Sequence, residues 1–217
     1  MPRFTARNRI VRELKENGRL KSIRPHPMKV PLCSRSGDVV EPMLKPQWFL
    51  KMTSMKEKVI DAVETGRIKI HPENYVNVMN NWFKEERDWC LSRQLWWGHR
   101  IPVWRHEDKW IAARNEDEAV AIAKTKYNLS DGFSLRREED VLDTWFSSAL
   151  LPFANFGWPN ENSKDLGKHY PLSLMETGQD ILFFWVTKMA MLGLELTGKA
   201  PFKEVLLHGL IFDKQGI

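Results

Sequence analysis

The stretch Glu-Thr-Gly-Gln-Asp (176–180) combines groups suited to holding a phosphorylated ribose. It follows an apolar, strand-like run and opens a helical one, so free backbone N–H groups there attract an anion. Gly178 has no Cβ and permits close approach of a phosphate or a sugar. Asp180 either accepts hydrogen bonds from ribose hydroxyls or caps the helix that follows. Downstream, His208-Gly209-Leu210 falls within or at the end of the next apolar run, close in space to the same rim. His208 is either a buried structural histidine or a group of the site. A hydrolase triad, a Walker loop, a GxGxxG turn and paired metal ligands are all missing from the sequence. Cys33 and Cys90 stand far apart and outside any CxxC pattern, so neither a disulfide framework nor a structural zinc site is expected.

The flanking residues must position these groups. "PLSLME" (171–176) is expected to be a strand and "TGQD" (177–180) a turn. Residues 181–196 are apolar nearly all round, as in a helix buried between a sheet and other elements. "EVLLHGLIF" (204–212) is a continuous apolar run of the kind found in a parallel strand covered on both faces. Strand, helix and strand at these lengths predict a βαβ unit, and ligands of such sheets bind beyond the carboxyl ends of the strands. Upstream, Tyr75, Val78, Met79, Trp82 and Phe83 form one helical stripe, and Met55, Val59 and Val63 another that Gly66 ends. Residues 5–18 predict a helix with Thr5 as its cap, Ile10, Val11 and Leu14 on one face and Gly18 as its stop. Residues 24–47 contain five prolines and read as a connector with a short strand-like "VVE" (39–41). A charged segment, 105–140, with the helical pattern "EDEAVAIAKTKY" inside it, reads as a modest insertion.

Composition is that of a globular chain: 217 residues, 42% apolar and 28% charged. The first 29 residues hold nine Lys or Arg against Glu13 and Glu16, a net +7, so the rest carries −2 of the chain's +5. That patch suits either a polyanion such as RNA or a solvated helix face. The longest apolar run, 181–196, is too short to span a membrane comfortably and contains Lys188. With no signal peptide at its start, the chain reads as a cytoplasmic protein, with the mitochondrial matrix as the alternative.

"DWCLSRQLWWGHRIPVW" (88–104) carries four of the ten tryptophans. This stretch resembles the class I aminoacyl-tRNA synthetases for branched aliphatic amino acids, in valyl rather than isoleucyl wording. "SRSGDVVEPMLKPQWFLKM", "EDVLDTWFSSALLPFANFGWP" and "METGQDILFFWVTKMAMLGLELTGKAPFKEVLLHGLIFDKQG" agree in the same order and cover nearly everything from about residue 20 onward. The resemblance implies an α/β fold: the second half of a Rossmann-type parallel sheet with helices, plus the end of an inserted editing region. It implies activation of valine by ATP (as Mg-ATP) to valyl-adenylate, then transfer to tRNA(Val). Trp145, Ile181 and Trp185 match residues that line the valine pocket, with Ile181 and Trp185 one helical turn apart. Thr177, Gly178, Gln179 and Asp180 match the turn that holds the adenylate ribose, and His208, Gly209 and Leu210 the strand end beside the adenine. No residue is assigned as a catalytic acid, base or nucleophile. A small apolar pocket discriminates an isosteric hydroxyl weakly, so the full enzyme is expected to edit mischarged threonine in a separate domain.

The implied organisation is 1–50 as the end of the editing insertion and its connector, and 51–104 as junction elements. A small insertion at 105–140 and the catalytic half-domain at 141–217 complete it. The four tryptophans are expected to act as core and wall at the junction, with Arg93, His99 and Arg100 available for polar ties; a base-stacking platform is the alternative. The family's HIGH and KMSKS motifs do not occur, so this polypeptide alone is expected not to activate valine. A monomer without membrane association is expected. An isoleucyl-type enzyme, or a non-enzymatic RNA-binding module on the same fold, is the alternative function.

Overall fold

The computed structural model describes residues 1–34, 36–85, 87–130 and 132–216. Arg35, Glu86, Asp131 and Ile217 lie outside the described residues, and with them one position of the "SRSGDVVEP" stretch and the last of the 141–217 region. Two compact units divide the chain, Met1–Lys45 and Pro46–Ile217.

In the first unit, helix α1 (Arg3–Glu16) starts two residues before the expected Thr5 cap; Pro2 precedes it and no side chain caps it. Proline is tolerated there because the first turn has no partner for its N–H groups. The helix ends as expected at Gly18, which adopts φ +67°. The amides of Arg19 and Leu20 return to the carbonyl of Leu14. None of the residues of α1 is buried, and Ile10 is 56% exposed. Where "VVE" predicts a strand, only an isolated bridge joins Leu32 to Val39.

The second unit begins with strand β1 (Phe49–Leu50), helix α2 (Thr53–Glu64), strand β2 (Lys69–His71) and helix α3 (Asn74–Glu85). Short strands β3 (Trp89–Cys90) and β4 (Ser92–Arg93) follow, then β5 (Val103–His106), β6 (Lys109–Ala112), helix α4 (Glu116–Tyr127) and β7 (Arg136–Arg137). After β8 (Val141–Leu142) come three short helices, α5 (Thr144–Ser148), α6 (Leu151–Ala154) and α7 (Lys164–His169). Strand β9 (Leu172–Gly178), helix α8 (Thr187–Thr197) and strand β10 (Phe202–His208) complete it.

β9, α8 and β10 make the expected βαβ unit, and β10 lies between β9 and β2 in a three-stranded parallel sheet. Three features differ from expectation. β9 extends through Gly178, so Thr177 and Gly178 end the strand instead of forming a turn. β10 stops at His208, leaving Gly209 to Phe212 outside it. Beyond Phe202, which is buried at the start of the strand, the strand is covered on one face only: Val205 and Leu207 are buried while Glu204, Leu206 and His208 are exposed. A continuous apolar run predicts burial on both faces only where elements are present to cover both.

The buried face packs with α2 and α8 into the main core, which includes Met55, Val59, Met175, Met189, Val205 and Leu207. Gly193 lets α8 close onto the start of β10, since a Cβ there would stand 3.0 Å from three ring carbons of Pro201. Lys188 is 3% exposed on the same helix. Its Nζ lies 3.4 Å from Met52 Sδ and 4.6 Å from the ring centroids of Trp89 and Phe183, a cation held against aromatic faces.

β6, β5 and β7 form a separate antiparallel sheet in that order. With α4 it encloses its own core of Trp104, Ile111, Ala113, Ala119 and Ala123. The helix has the bounds the sequence pattern predicts. Asn115 caps it by accepting from the Glu118 amide, and Asn128 ends it in the left-handed region at φ 53°. Trp48, just ahead of β1, ties this module to β4: its amide donates to Ser92 Oγ at 2.6 Å, its indole N–H to Glu138 Oε2 at 3.0 Å, and its ring meets Trp110 edge-on at 5.0 Å.

Candidate nucleotide and amino-acid site

Parallel registration brings the ends of β9 and β10 level, with His208 opposite Gly178. Beyond them the chain turns through a single 3-10 turn, Gln179–Ile181. Thr177 is buried, Gly178 half-buried, and Gln179 and Asp180 are exposed. Asp180 lies inside the 3-10 turn rather than ahead of it and makes no capping hydrogen bond, which corrects its reading as a cap. The carboxylate folds back over Gly178 instead: a Cβ on Gly178 would stand 2.5 Å from Asp180 Oδ1 and 3.4 Å from Leu210 Cδ2. A side chain at position 178 would therefore displace the Asp180 carboxylate from this place. The φ of Gly178 is −63°, which any residue adopts.

His208 is not buried, which removes the structural-core reading; its side chain is 52% exposed. Nε2 stands 2.9 Å from Glu176 Oε1 and Nδ1 2.8 Å from the Gly209 carbonyl, so both ring nitrogens face acceptors. Gly209 and Leu210 are exposed beside it. Thr177, Gly178, Gln179, Asp180, His208, Gly209 and Leu210 thus gather at one end of the sheet, as the βαβ topology requires.

The aromatic residues gather differently. Trp145 lies in α5, which Asp143 caps by accepting from the Trp145 amide at 3.3 Å. Asp143 is 6% exposed, and its Oδ2 also accepts from Trp89 Nε1 and from Arg93, each at 2.9 Å. One carboxylate thereby joins β3, β4 and α5, and its three hydrogen bonds compensate its burial. Trp145 stacks on Phe184 with centroids 6.3 Å apart and planes 25° apart. Trp185 reaches the other end of the same short helix, its indole N–H donating to the Ser148 carbonyl at 3.3 Å.

A cavity of about 480 Å³ is lined by Trp145 together with Trp89, Asp143, Phe183, Phe184 and Lys188; Ile181 and Trp185 are not among its described lining residues. The segment that joins Ile181 to Trp185 is also not the α-helical turn expected. Ile181 ends the 3-10 turn, and Leu182–Val186 forms a π-turn. Apolar periodicity cannot reveal a π-turn, because the extra residue leaves composition unchanged. The role of Asp143 did have a visible signal, an Asp directly ahead of a short helical run.

The tryptophan-rich stretch splits. Trp104 is 3% exposed in the small core, and Trp89 is half-buried at the Asp143 knot. Trp96 and Trp97 are 95% and 82% exposed, so the expectation of core and wall fails for these two. They occupy a bend that closes at Gly98, where φ is +148° and a Cβ would approach Val141 Cγ2 to 2.9 Å. Val141 packing fixes the backbone on the inner side, and the two indoles project outward. Arg93 and Arg100 do make polar ties, Arg100 to the Glu138 carbonyl at 2.8 Å. Among the described residues no cluster of three His, Cys, Asp or Glu side chains could hold a metal, and no helix is long and apolar enough to cross a membrane.

The sequence pattern of the tRNA synthetases class I (I, L, M and V) matches residues 21–217. The chain belongs to this family. Probable cytoplasmic valine–tRNA ligase of Vairimorpha ceranae is 50% identical over 220 residues, covering 100% of this chain and 25% of that protein. The mouse valine–tRNA ligase is 48% identical over 100% of this chain and 18% of its own length. The rat mitochondrial valine–tRNA ligase is 47% identical over 99% of this chain and 21% of its own length. This synthetase segment therefore spans a quarter or less of the curated relatives it matches. Among solved structures, the methionyl-tRNA synthetase of Mycobacterium tuberculosis bound by methionyl-adenylate superposes with a TM-score of 0.58. It is 16% identical, over 85% of this chain and 30% of that one, and shows that the segment has the class I synthetase fold.

Proposed function

We propose that this segment serves a valine–tRNA ligase. In that reaction a valine carboxylate oxygen attacks the α-phosphorus of ATP, pyrophosphate leaves, and the valyl group of the adenylate then passes to the 3′ end of tRNA(Val). The observation that carries this reading is the identity of 47–50% to valine–tRNA ligases along practically the whole chain.

In this reading Asp180 and Gln179 receive the ribose, Thr177 and Gly178 let the adenylate approach the strand end, and His208, Gly209 and Leu210 flank the adenine. An exposed carboxylate at the strand end is a ready acceptor for ribose hydroxyls. Trp145, Ile181 and Trp185 receive the valine side chain, a grouping that rests on the family resemblance, since of the three only Trp145 lines the cavity described above. The chain supplies positioning and donors for developing charge, without a covalent intermediate. Magnesium travels with ATP as part of the substrate, and the enzyme acts in the cytoplasm as a monomer that edits mischarged threonine elsewhere in its length.

The test is amino-acid-dependent ATP–pyrophosphate exchange by the full-length polypeptide carrying this segment. Valine is expected to drive exchange, with isoleucine about 100-fold less effective in kcat/KM. Exchange driven by isoleucine or methionine and not by valine overturns the proposal.

A further inference from the structure

Phe184 lines the same cavity as Trp145 but matches none of the residues assigned to valine or the adenylate, and it touches the residue on which the amino-acid side of that site depends. The π-turn Leu182–Val186 sends three consecutive aromatic residues to three separate partners. Phe183 meets Trp82 edge-on at 4.7 Å, Phe184 stacks on Trp145 at 6.3 Å, and Trp185 donates to the Ser148 carbonyl at 3.3 Å. Two of these contacts grip one five-residue helix, α5 (Thr144–Ser148), near its two ends. A helix that short has little stability of its own, so its placement must come from tertiary contacts. Its start is fixed by Asp143, and its aromatic face by Phe184 and Trp185. The turn that supplies this grip is continuous with Gln179–Ile181, the turn at the strand end. Extra-residue turns of this kind are frequent at functional sites.

We infer that Phe184 is a positioning residue for specificity: by stacking on Trp145 it holds that indole at a fixed distance from the ribose turn, and so sets the width of the side-chain pocket. This rests on the reading of Trp145 as a wall of the valine pocket. A wall excludes one extra methylene only if it cannot yield, and a methylene is worth on the order of 10- to 200-fold in discrimination. Phe184 is 49% exposed, so removing its ring deletes the stack without opening a large cavity in the core.

The experiment compares wild type, Phe184→Ala and Phe184→Tyr in the full-length enzyme. The first readout is pyrophosphate exchange with valine and with isoleucine. The second is fluorine NMR of enzyme grown with fluorotryptophan, the Trp145 resonance being assigned by its loss in Trp145→Phe. In Phe184→Ala the preference for valine over isoleucine is expected to fall about tenfold, through a higher KM for valine, with the KM for ATP unchanged. The Trp145 resonance is expected to shift and broaden in that variant. Phe184→Tyr, which keeps the ring, is expected to restore both. A Trp145 resonance that does not move in Phe184→Ala overturns the clamp. A moved resonance with unchanged preference overturns the specificity role. If wild type shows no valine-dependent exchange, the functional reading and the specificity role fall together, while the resonance still decides whether Phe184 holds Trp145.

Discussion

In the parallel sheet, Met175, Val205 and Leu207 are buried on one face, while Leu174 and Leu206 on the other are 52% and 43% exposed. In the antiparallel module of β5, β6, β7 and α4, a small core closes around Trp104 and Ile111, both nearly inaccessible. The module's contacts join residues close in sequence, whereas the sheet joins β2 to β10 across more than a hundred positions. A module built from local pairs can close its core by itself. The sheet, assembled from segments distant in sequence, leaves apolar side chains open on one face, and its burial depends on more of the chain than the module's does.

The widest test of this contrast pairs two core truncations in the full-length protein. Phe202→Ala removes a fully buried ring from the central strand and is expected to cost about 4 kcal/mol. Ile111→Ala is expected to cost about 3 kcal/mol. Hydrogen exchange separates the two. Phe202→Ala should raise exchange throughout β9, β10 and α8. Ile111→Ala should raise it only across residues 103–137. Faster exchange in β9 of Ile111→Ala means that the two cores unfold as one, and the contrast is lost.

That contrast also explains what was legible in advance. The βαβ unit was readable because the apolar run of 181–196 and the strand-like runs around it have lengths that few other arrangements accommodate. Helix α4 was readable to the residue because Asn115 and Asn128 mark its ends by their own chemistry. Strand β2 was not anticipated: Lys69-Ile70-His71 is three residues long, and its identity as a strand comes wholly from pairing with distant β10. The exposure of Trp96 and Trp97 was equally hidden. Residue type reports a preference for burial, but only the bend at Gly98 and its packing on Val141 decide which way the rings point. The rim residues gathered as topology demands, whereas the grouping of Trp145 with Phe184 depends on a π-turn that leaves no periodic trace.

A narrower test asks whether the rim is separable from the core beneath it. In Gly178→Ala the new methyl would meet Asp180 Oδ1 at 2.5 Å, so the carboxylate must rotate away. The backbone there is compatible with alanine, and the melting temperature is expected to stay within about 2 °C of wild type. The KM for ATP is expected to rise about tenfold, the loss of one charge-assisted hydrogen bond. A melting temperature that drops sharply with unchanged KM would show that Gly178 serves packing and that Asp180 is not held for a ligand.

The smallest effect concerns the tie between the module and the junction. Burial raises the affinity of the Glu138 carboxyl for its proton, but the Trp48 indole and the amides of Asp140 and Glu139 donate to the carboxylate and together outweigh it. Its pKa is therefore held below the ordinary carboxylate range. A depressed pKa means that the folded state favours the ionised form. The resulting stabilisation is complete above the unfolded-state pKa and disappears as pH falls through the folded-state value. Glu138→Gln keeps an acceptor for Trp48 and removes the charge. Its melting temperature is expected to lie about 1–2 °C below wild type at neutral pH, and the two curves should converge on acidification past the carboxylate range. Because Trp48 also rests on Trp110 within the module, Trp48→Phe in the same titration should abolish most of the pH-dependent difference. A gap between wild type and Glu138→Gln that persists unchanged to low pH would show that the carboxylate's charge plays no part in joining the two regions, leaving the Trp48–Trp110 contact and the bonds of Arg100 and Gln94 to hold them.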